Sequence, residues 1–247
     1  NFMPSLETIT IVSTSYEASL SISHDGAENF MQSLESIMMT AGNDLELSVS
    51  ASINNFYPDD SDVVNGSGFM NSLETITLRA NDAEAGSVSF SLSHSGSDYF
   101  MPSLTTIELH ANAGASLSIS ASANHVYYEN SNTNTIDYRD IDTGEHFMQS
   151  LESITIINAS EYYASLSISN SGGDYFMQSL REIVVEDGGT ESAQISISAS
   201  ANFFNYYESE YDSELGEEVI VHTREEVLES KGDNFMTSLK SIKLSSV

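Results

Sequence analysis

The 247-residue chain has no cysteine, no tryptophan, three prolines, and seven Lys and Arg against 37 Asp and Glu. Without Cys there is no disulfide framework and no thiolate chemistry. A formal net charge of -30 repels nucleic acid and anionic membranes, so neither is expected as a partner. Such a surface suits high salt, a cation-rich setting or a basic protein surface. No apolar run approaches the ~20 residues of a spanning helix, so no membrane insertion is expected. Proline is confined to positions 4, 58 and 102, which leaves the rest of the chain open to strands.

Against these absences stands one abundant motif. Phe-Met-x-Ser-Leu-x-x-Ile occurs seven times, with Phe at 2, 30, 69, 100, 147, 176 and 235. A recurring copy of this length is the mark of a solenoid, in which each copy forms one coil and stacks on the next. Each coil carries two strand signals. The first is Leu-x-x-Ile-x-Ile, as in Leu6, Ile9 and Ile11 or Leu151, Ile154 and Ile156. The second alternates an apolar residue with Ser, as in Ala18 to Ser23, Ala115 to Ser120, Ala164 to Ser169 and Ala193 to Ser198. Period two over six residues means a half-buried strand. Turn chemistry at His24-Asp25-Gly26, His94-Ser95-Gly96 and Ser171-Gly172-Gly173 reverses the chain between coils.

The Phe-to-Phe spacings are 28, 39, 31, 47, 29 and 59, so short and long coils alternate. The expected fold is all-β: a single domain over 1–247, a two-sheet parallel β-solenoid of six coils plus a half coil. Three loop insertions, at about 53–67, 123–146 and 201–233, each follow the second strand of an even coil and so share one edge. Residues 223–231 are the one stretch with helical character. In register, seven of 11 Phe and seven of nine Met form apolar columns, read as core. The Ser column at 5, 33, 72, 103, 150, 179 and 238 is read as bonding the backbone of the arch or a neighbouring Ser.

The Leu-x-x-Ile-x-Ile strand resembles the Leu-x-x-Leu-x-Leu core of leucine-rich repeats over about eight residues per coil, but the Asn position and convex helix are replaced by the Ser-alternating strand. The architecture is more similar to two-sheet β-arch solenoids, including microbial surface-layer, sheath and filament proteins. That resemblance implies a structural, self-assembling subunit at the cell surface or outside the cell.

Catalysis has weak support. The outward positions of strand one, Glu7, Glu35, Glu74, Thr105, Glu152, Arg181 and Lys240, form a ladder in which carboxylates ~5 Å apart arise from coil spacing alone. His24 and His94 sit two coils apart, roughly 10 Å, too far to share a metal directly. No nucleophile elbow or phosphate loop appears, so no enzyme and no cofactor are expected. Ca²⁺ is the one candidate ion, at Asp59, Asp60 and Asp62, at Asp137, Asp140 and Asp142, and at Glu208, Glu210, Asp212 and Glu214, though none of these runs matches an EF-hand; solvated charge is the alternative. Two sequons offer Asn65 and Asn158 for N-glycosylation in a secreted protein, with chance as the alternative.

Two surfaces remain as sites. The insertions carry Tyr57, Tyr127, Tyr128, Phe203, Tyr206 and Tyr207 amid acids, a composition suited to recognising glycans or a basic protein, as an adhesin would. Covering the flank of the solenoid would use the same aromatics. The outward Ser ladder at 21, 48, 91, 118, 167 and 196 makes a flat face; ice-binding solenoids show a similar hydroxyl array but use Thr. The ends lack visible caps. Phe2, Met3 and Glu7 begin directly in a repeat, and Phe235, Met236, Lys240 and Lys243 belong to a half coil. Stacked head to tail, Lys240 would face Glu7 of the next copy and Lys243 would lie near its Thr10. A homopolymer is therefore expected, with a boundary cut through a longer solenoid as the alternative.

Overall fold

A computed structural model describes residues 2–14, 16–25, 30–52, 69–81, 86–96, 99–122, 124–129, 138–143, 145–159, 162–189, 193–200, 208–212, 217–222 and 234–246. Coil one contributes β1 (Thr8–Val12) and β2 (Ala18–Asp25), coil two β3 (Ser36–Ala41) and β4 (Leu45–Ser52), and coil three β5 (Thr75–Ala80) and β6 (Ser87–Ser95). Coil four holds β7 (Thr106–Ala111) and β8 (Gly114–Ser122), and is followed by β9 (Asn124–Glu129) and β10 (Tyr138–Thr143). Coil five holds β11 (Ser153–Asn158) and β12 (Ala164–Ser171), and coil six β13 (Glu182–Asp187) and β14 (Ala193–Ser200). Then come β15 (Glu208–Asp212), β16 (Glu217–His222) and the half coil's β17 (Ser241–Ser246).

The first strands pair in the order β1-β3-β5-β7-β11-β13-β17, and the second strands in the order β14-β12-β8-β6-β4-β2. Every neighbour in both sheets is parallel. The expected two-sheet parallel β-solenoid is the observed fold. Two of the insertions are more than loops. β9 pairs with β10, and β15 with β16, as antiparallel hairpins that follow β8 and β14. The first insertion and the stretch 223–231 lie outside the described residues.

Register explains the core. Ile9, Ile37, Ile76, Ile107, Ile154, Ile183 and Ile242 occupy one column of the first sheet. Leu20, Leu47, Phe90, Leu117, Leu166 and Ile195 occupy one column of the second. These columns face each other, and from coil two to coil five their members are buried. The alternation of burial along β6 and β8 is the period of two written into Ser-Val-Ser-Phe-Ser-Leu and Ala-Ser-Leu-Ser-Ile.

The Phe-Met-x-Ser-Leu segment is the arch that carries the chain into the first sheet. Its Phe rings stack face to face through all seven coils, with centroids 4.7–5.2 Å apart. The Met that follows has φ between 43° and 49° in every copy, a left-handed backbone otherwise favoured by Gly. Its carbonyl accepts the amide of the Leu three residues on, 3.0–3.3 Å away, which closes a tight turn in each coil. Pro4 and Pro102 therefore sit at the second residue of that turn, where a fixed φ is welcome. Of the Ser column, Ser33 Oγ donates to the carbonyl of Pro4 one coil away, at 2.6 Å, as the bonding role requires.

A stabilising substitution follows. Gln149 holds the position of Pro4 and Pro102 in coil five, and only its carbonyl is used by the next coil, from the Ser179 amide at 3.2 Å. Gln149→Pro is expected to raise stability by about 0.4–1 kcal/mol through a smaller unfolded ensemble. A thermal melt of the purified variant checks it, and a lowered midpoint would show that this turn differs from its neighbours.

Candidate functional site

The groups best placed to act are at the two ends of the stack, and the reason is the same column logic. From coil two to coil six the Met of each arch is almost fully buried, whereas Phe2 and Met3 in coil one are both 49% exposed. Along β17, Ile242 is 52% and Leu244 is 51% exposed, while their counterparts Ile183 and Val185 one coil below are fully buried. Among the described residues, the outermost strands of each end are paired on one side only: β1 and β2 at one end, β17 and β14 at the other. Unpaired backbone beside exposed apolar side chains is a template for further strand pairing.

The two ends differ in form. The first begins with a whole coil, one strand in each sheet. The second is stepped, because the first sheet has seven strands and the second has six. Beside β17, the inward residues Ala193, Ile195 and Ile197 of β14 are only partly buried. The apolar side chains left open there are the ones a further second-sheet strand would cover.

Charge at the stepped end is mixed. The backbone amide of Lys240 donates to the Arg181 carbonyl at 3.0 Å, and both residues stand exposed in the outward column that begins with Glu7 and Glu35. Lys243, expected beside Thr10 of another copy, shares the column of Thr10 but forms an ion pair with Glu186 of its own chain. Of the seven assembly residues read from the sequence, the fold places Phe2, Met3 and Glu7 at one end and Phe235, Met236, Lys240 and Lys243 at the other. Met236 is buried, so its side chain is not free for contact.

The loop residues fare less simply. Tyr57, Phe203, Tyr206, Tyr207, Asn65, Asp59, Asp60, Asp62 and Asp137 lie outside the described residues. Tyr127 and Tyr128 take consecutive positions on β9, paired with Asp140 and Arg139 of β10. Asp142 is paired with His125. Among the described residues no three His, Asp or Glu side chains gather as a metal cluster. Asn158 is among the described residues. It lies 1% exposed at the end of β11, and its Nδ2 donates to the Tyr162 carbonyl at 3.0 Å and to Asp187 Oδ1 at 3.1 Å. With both amide hydrogens engaged and no access, the folded chain does not offer Asn158 to a glycan.

Two columns escaped the sequence reading. His24, Ala51, His94, Ala121, Asn170 and Ala199 share one column of the second sheet, so polar groups fall in the short coils and Ala in the long ones. His94 is buried beside the stacked rings of Phe100 and Phe147, tilted against them with centroids 4.8 and 5.3 Å away. The intervening Ala51 and its coil confirm that His24 and His94 are two coils apart. Outside the core, Tyr99, His146 and Tyr175 stack at 4.7 and 4.6 Å, each on a left-handed backbone just before the Phe of its arch. Aligning the residue before each Phe was the signal that would have found this surface ladder.

The outer face of the second sheet carries Ser21, Ser48, Ser91, Ser118, Ser167 and Ser196 in one continuous column, as the alternation implied. No family model, no curated protein and no solved structure matches this chain.

Proposed function

We propose that this chain is a structural subunit of an extracellular or cell-surface filament, sheath or layer, built by end-to-end stacking of its coils. The observation that carries the reading is the contrast along single columns: apolar positions buried in the middle of the stack stand about half exposed in Phe2, Met3, Ile242 and Leu244. Each exposed residue repeats one that is buried by a stacked coil elsewhere in the chain, so another copy of the same coil has the right shape and spacing to cover it. Strand addition at such an edge draws affinity from main-chain hydrogen bonds and register from the alternate side chains. Acidic outer surfaces with small hydroxyls between them keep the assembled stack soluble along its flanks.

Electron microscopy and mass measurement of the purified chain over a range of concentration test the reading. Elongated particles whose length grows in steps of one subunit, about 30 Å for six to seven coils at ~4.8 Å each, are expected. A strictly monomeric particle at high concentration and moderate salt would remove the basis for it.

A second reading, an adhesin or glycan-binding module, has one observation in its favour. The Tyr99–His146–Tyr175 ladder leaves Tyr99 45% and Tyr175 36% exposed on the edge from which the hairpins depart. Deletion of residues 203–212 tests recognition by the loops and Tyr99→Ala with Tyr175→Ala recognition by the ladder; assembly survives both, and glycan binding is lost in at least one if the second reading holds.

A further inference from the structure

One buried side chain has only half of its polar atoms met. Asp187 is the last residue of β13, on the inward face with Ile183 and Val185, and is 1% exposed. Its Oδ1 accepts from Asn158 Nδ2 at 3.1 Å, while its Oδ2 is buried and meets no donor. The same column carries Ala41, Ala80 and Ala111 in coils two to four, so packing at this position is satisfied by a methyl group. A carboxylate taken out of water is strongly unfavourable unless a positive charge meets it. No basic side chain among the described residues does. Lys243, one coil on, projects from the opposite face of the sheet and pairs with Glu186.

The groups around Asp187 are oxygens. Asn158 Nδ2 donates to the Tyr162 carbonyl at 3.0 Å as well as to Asp187, so carbonyl and carboxylate converge on one nitrogen. The backbone beyond Asp187 closes tightly on the coil below: a Cβ added to Gly188 would stand 2.7 Å from the Ala159 carbonyl oxygen. A carboxylate among backbone carbonyls is the ligand set that hard cations take.

We infer that Asp187 Oδ2 binds a singly charged hard cation, Na⁺ or K⁺, at the buried ends of β11 and β13. Charge selects the class. One carboxylate balances one positive charge, and a doubly charged ion would leave its excess buried. Among the described residues no further acids gather there to balance one. The field of a chain with a net charge of -30 raises the concentration of cations around it, which favours loading. Asn158 is then a positioning residue: its amide holds Oδ1 and leaves Oδ2 to the ion. The site does not depend on the end-to-end reading above.

Thermal melts of the whole chain at fixed ionic strength test the site, with tetramethylammonium chloride as reference and NaCl, KCl or CaCl₂ as the arms. At about five times its dissociation constant, Na⁺ or K⁺ is expected to raise the midpoint by about 2–4 °C above the reference. Asp187→Asn keeps the shape and removes the charge, and is expected to melt alike in every salt. Asp187→Ala, which places at 187 the residue type of coils two to four, gives the same comparison should Asp187→Asn fail to fold. A rise of equal size in the parent and the variant is screening of the whole acidic surface and overturns the site. No rise in the parent overturns it too. A rise with Ca²⁺ alone overturns the singly charged ion.

Discussion

Phe100→Ala is expected to lower stability by about 3–5 kcal/mol, while Phe2→Ala changes it by less than about 1 kcal/mol. Both residues stand at the same position of the same motif and stack in the same ring column. They differ in coverage. Phe100 is fully buried between Phe69 and Phe147, with His94 against it, and its removal leaves a ring-sized void inside a close-packed stack. Phe2 has Phe30 on one side and is half exposed, so its loss opens no cavity. Because each coil of a solenoid is held by its neighbours, the central lesion also weakens the coupling between the two halves of the array. Denaturant unfolding of Phe100→Ala is thus expected to show a lower midpoint and a broader transition than the parent chain. Equal destabilisation by the two substitutions would contradict the register.

Met101→Val is expected to cost about 2–4 kcal/mol, and Met101→Leu less than about 1.5 kcal/mol. Size alone does not make this difference. Met101 is fully buried at φ 46°, where a branch at Cβ crowds the backbone and an unbranched side chain does not. Val both loses volume and strains the turn that Leu104 closes by donating to the Met101 carbonyl at 3.2 Å. The same pair of substitutions at Met3, half exposed in coil one, keeps the backbone strain and loses the cavity contribution. Chemical denaturation of the four variants separates the two causes, and Val and Leu behaving alike at position 101 would show that the left-handed turn carries no strain.

The architecture was legible because the repeat and the period of two are statements about the same columns. Phe-Met-x-Ser-Leu sets the phase of each coil, and Ala-Ser-Leu-Ser-Ile-Ser has one inward face, so no other pairing buries both. What the sequence hid were features that depend on the third dimension. Met is not a turn residue, and nothing in its chemistry announces a left-handed backbone; that conformation comes from the arch around it. The sequon at Asn158 is a three-residue pattern without depth, and the fold puts its amide beneath Asp187 and Tyr162. The hairpin β9–β10 was obscured by its own acids, since Tyr-Arg-Asp-Ile-Asp-Thr reads as solvated loop until its partner strand is known. At the ends, the half coil was visible in the sequence, but its meaning as a step between sheets of seven and six strands was not.

The alternation of short and long coils has a consequence for how such a chain can change length. The hairpins β9–β10 and β15–β16 follow β8 and β14, which are two coils and thus about 10 Å apart in the stack. Between them lies coil five, whose β12 is followed by β13 of the next coil with no strand between. The His24, His94 and Asn170 column keeps the same beat, each polar group separated from the next by an Ala. Loss of coil five would put the two hairpin-bearing coils in adjacent layers, and loss of coil two would do the same to His24 and His94. Duplication and deletion within this array are therefore accommodated in steps of two coils, and the heritable unit of the solenoid is the pair.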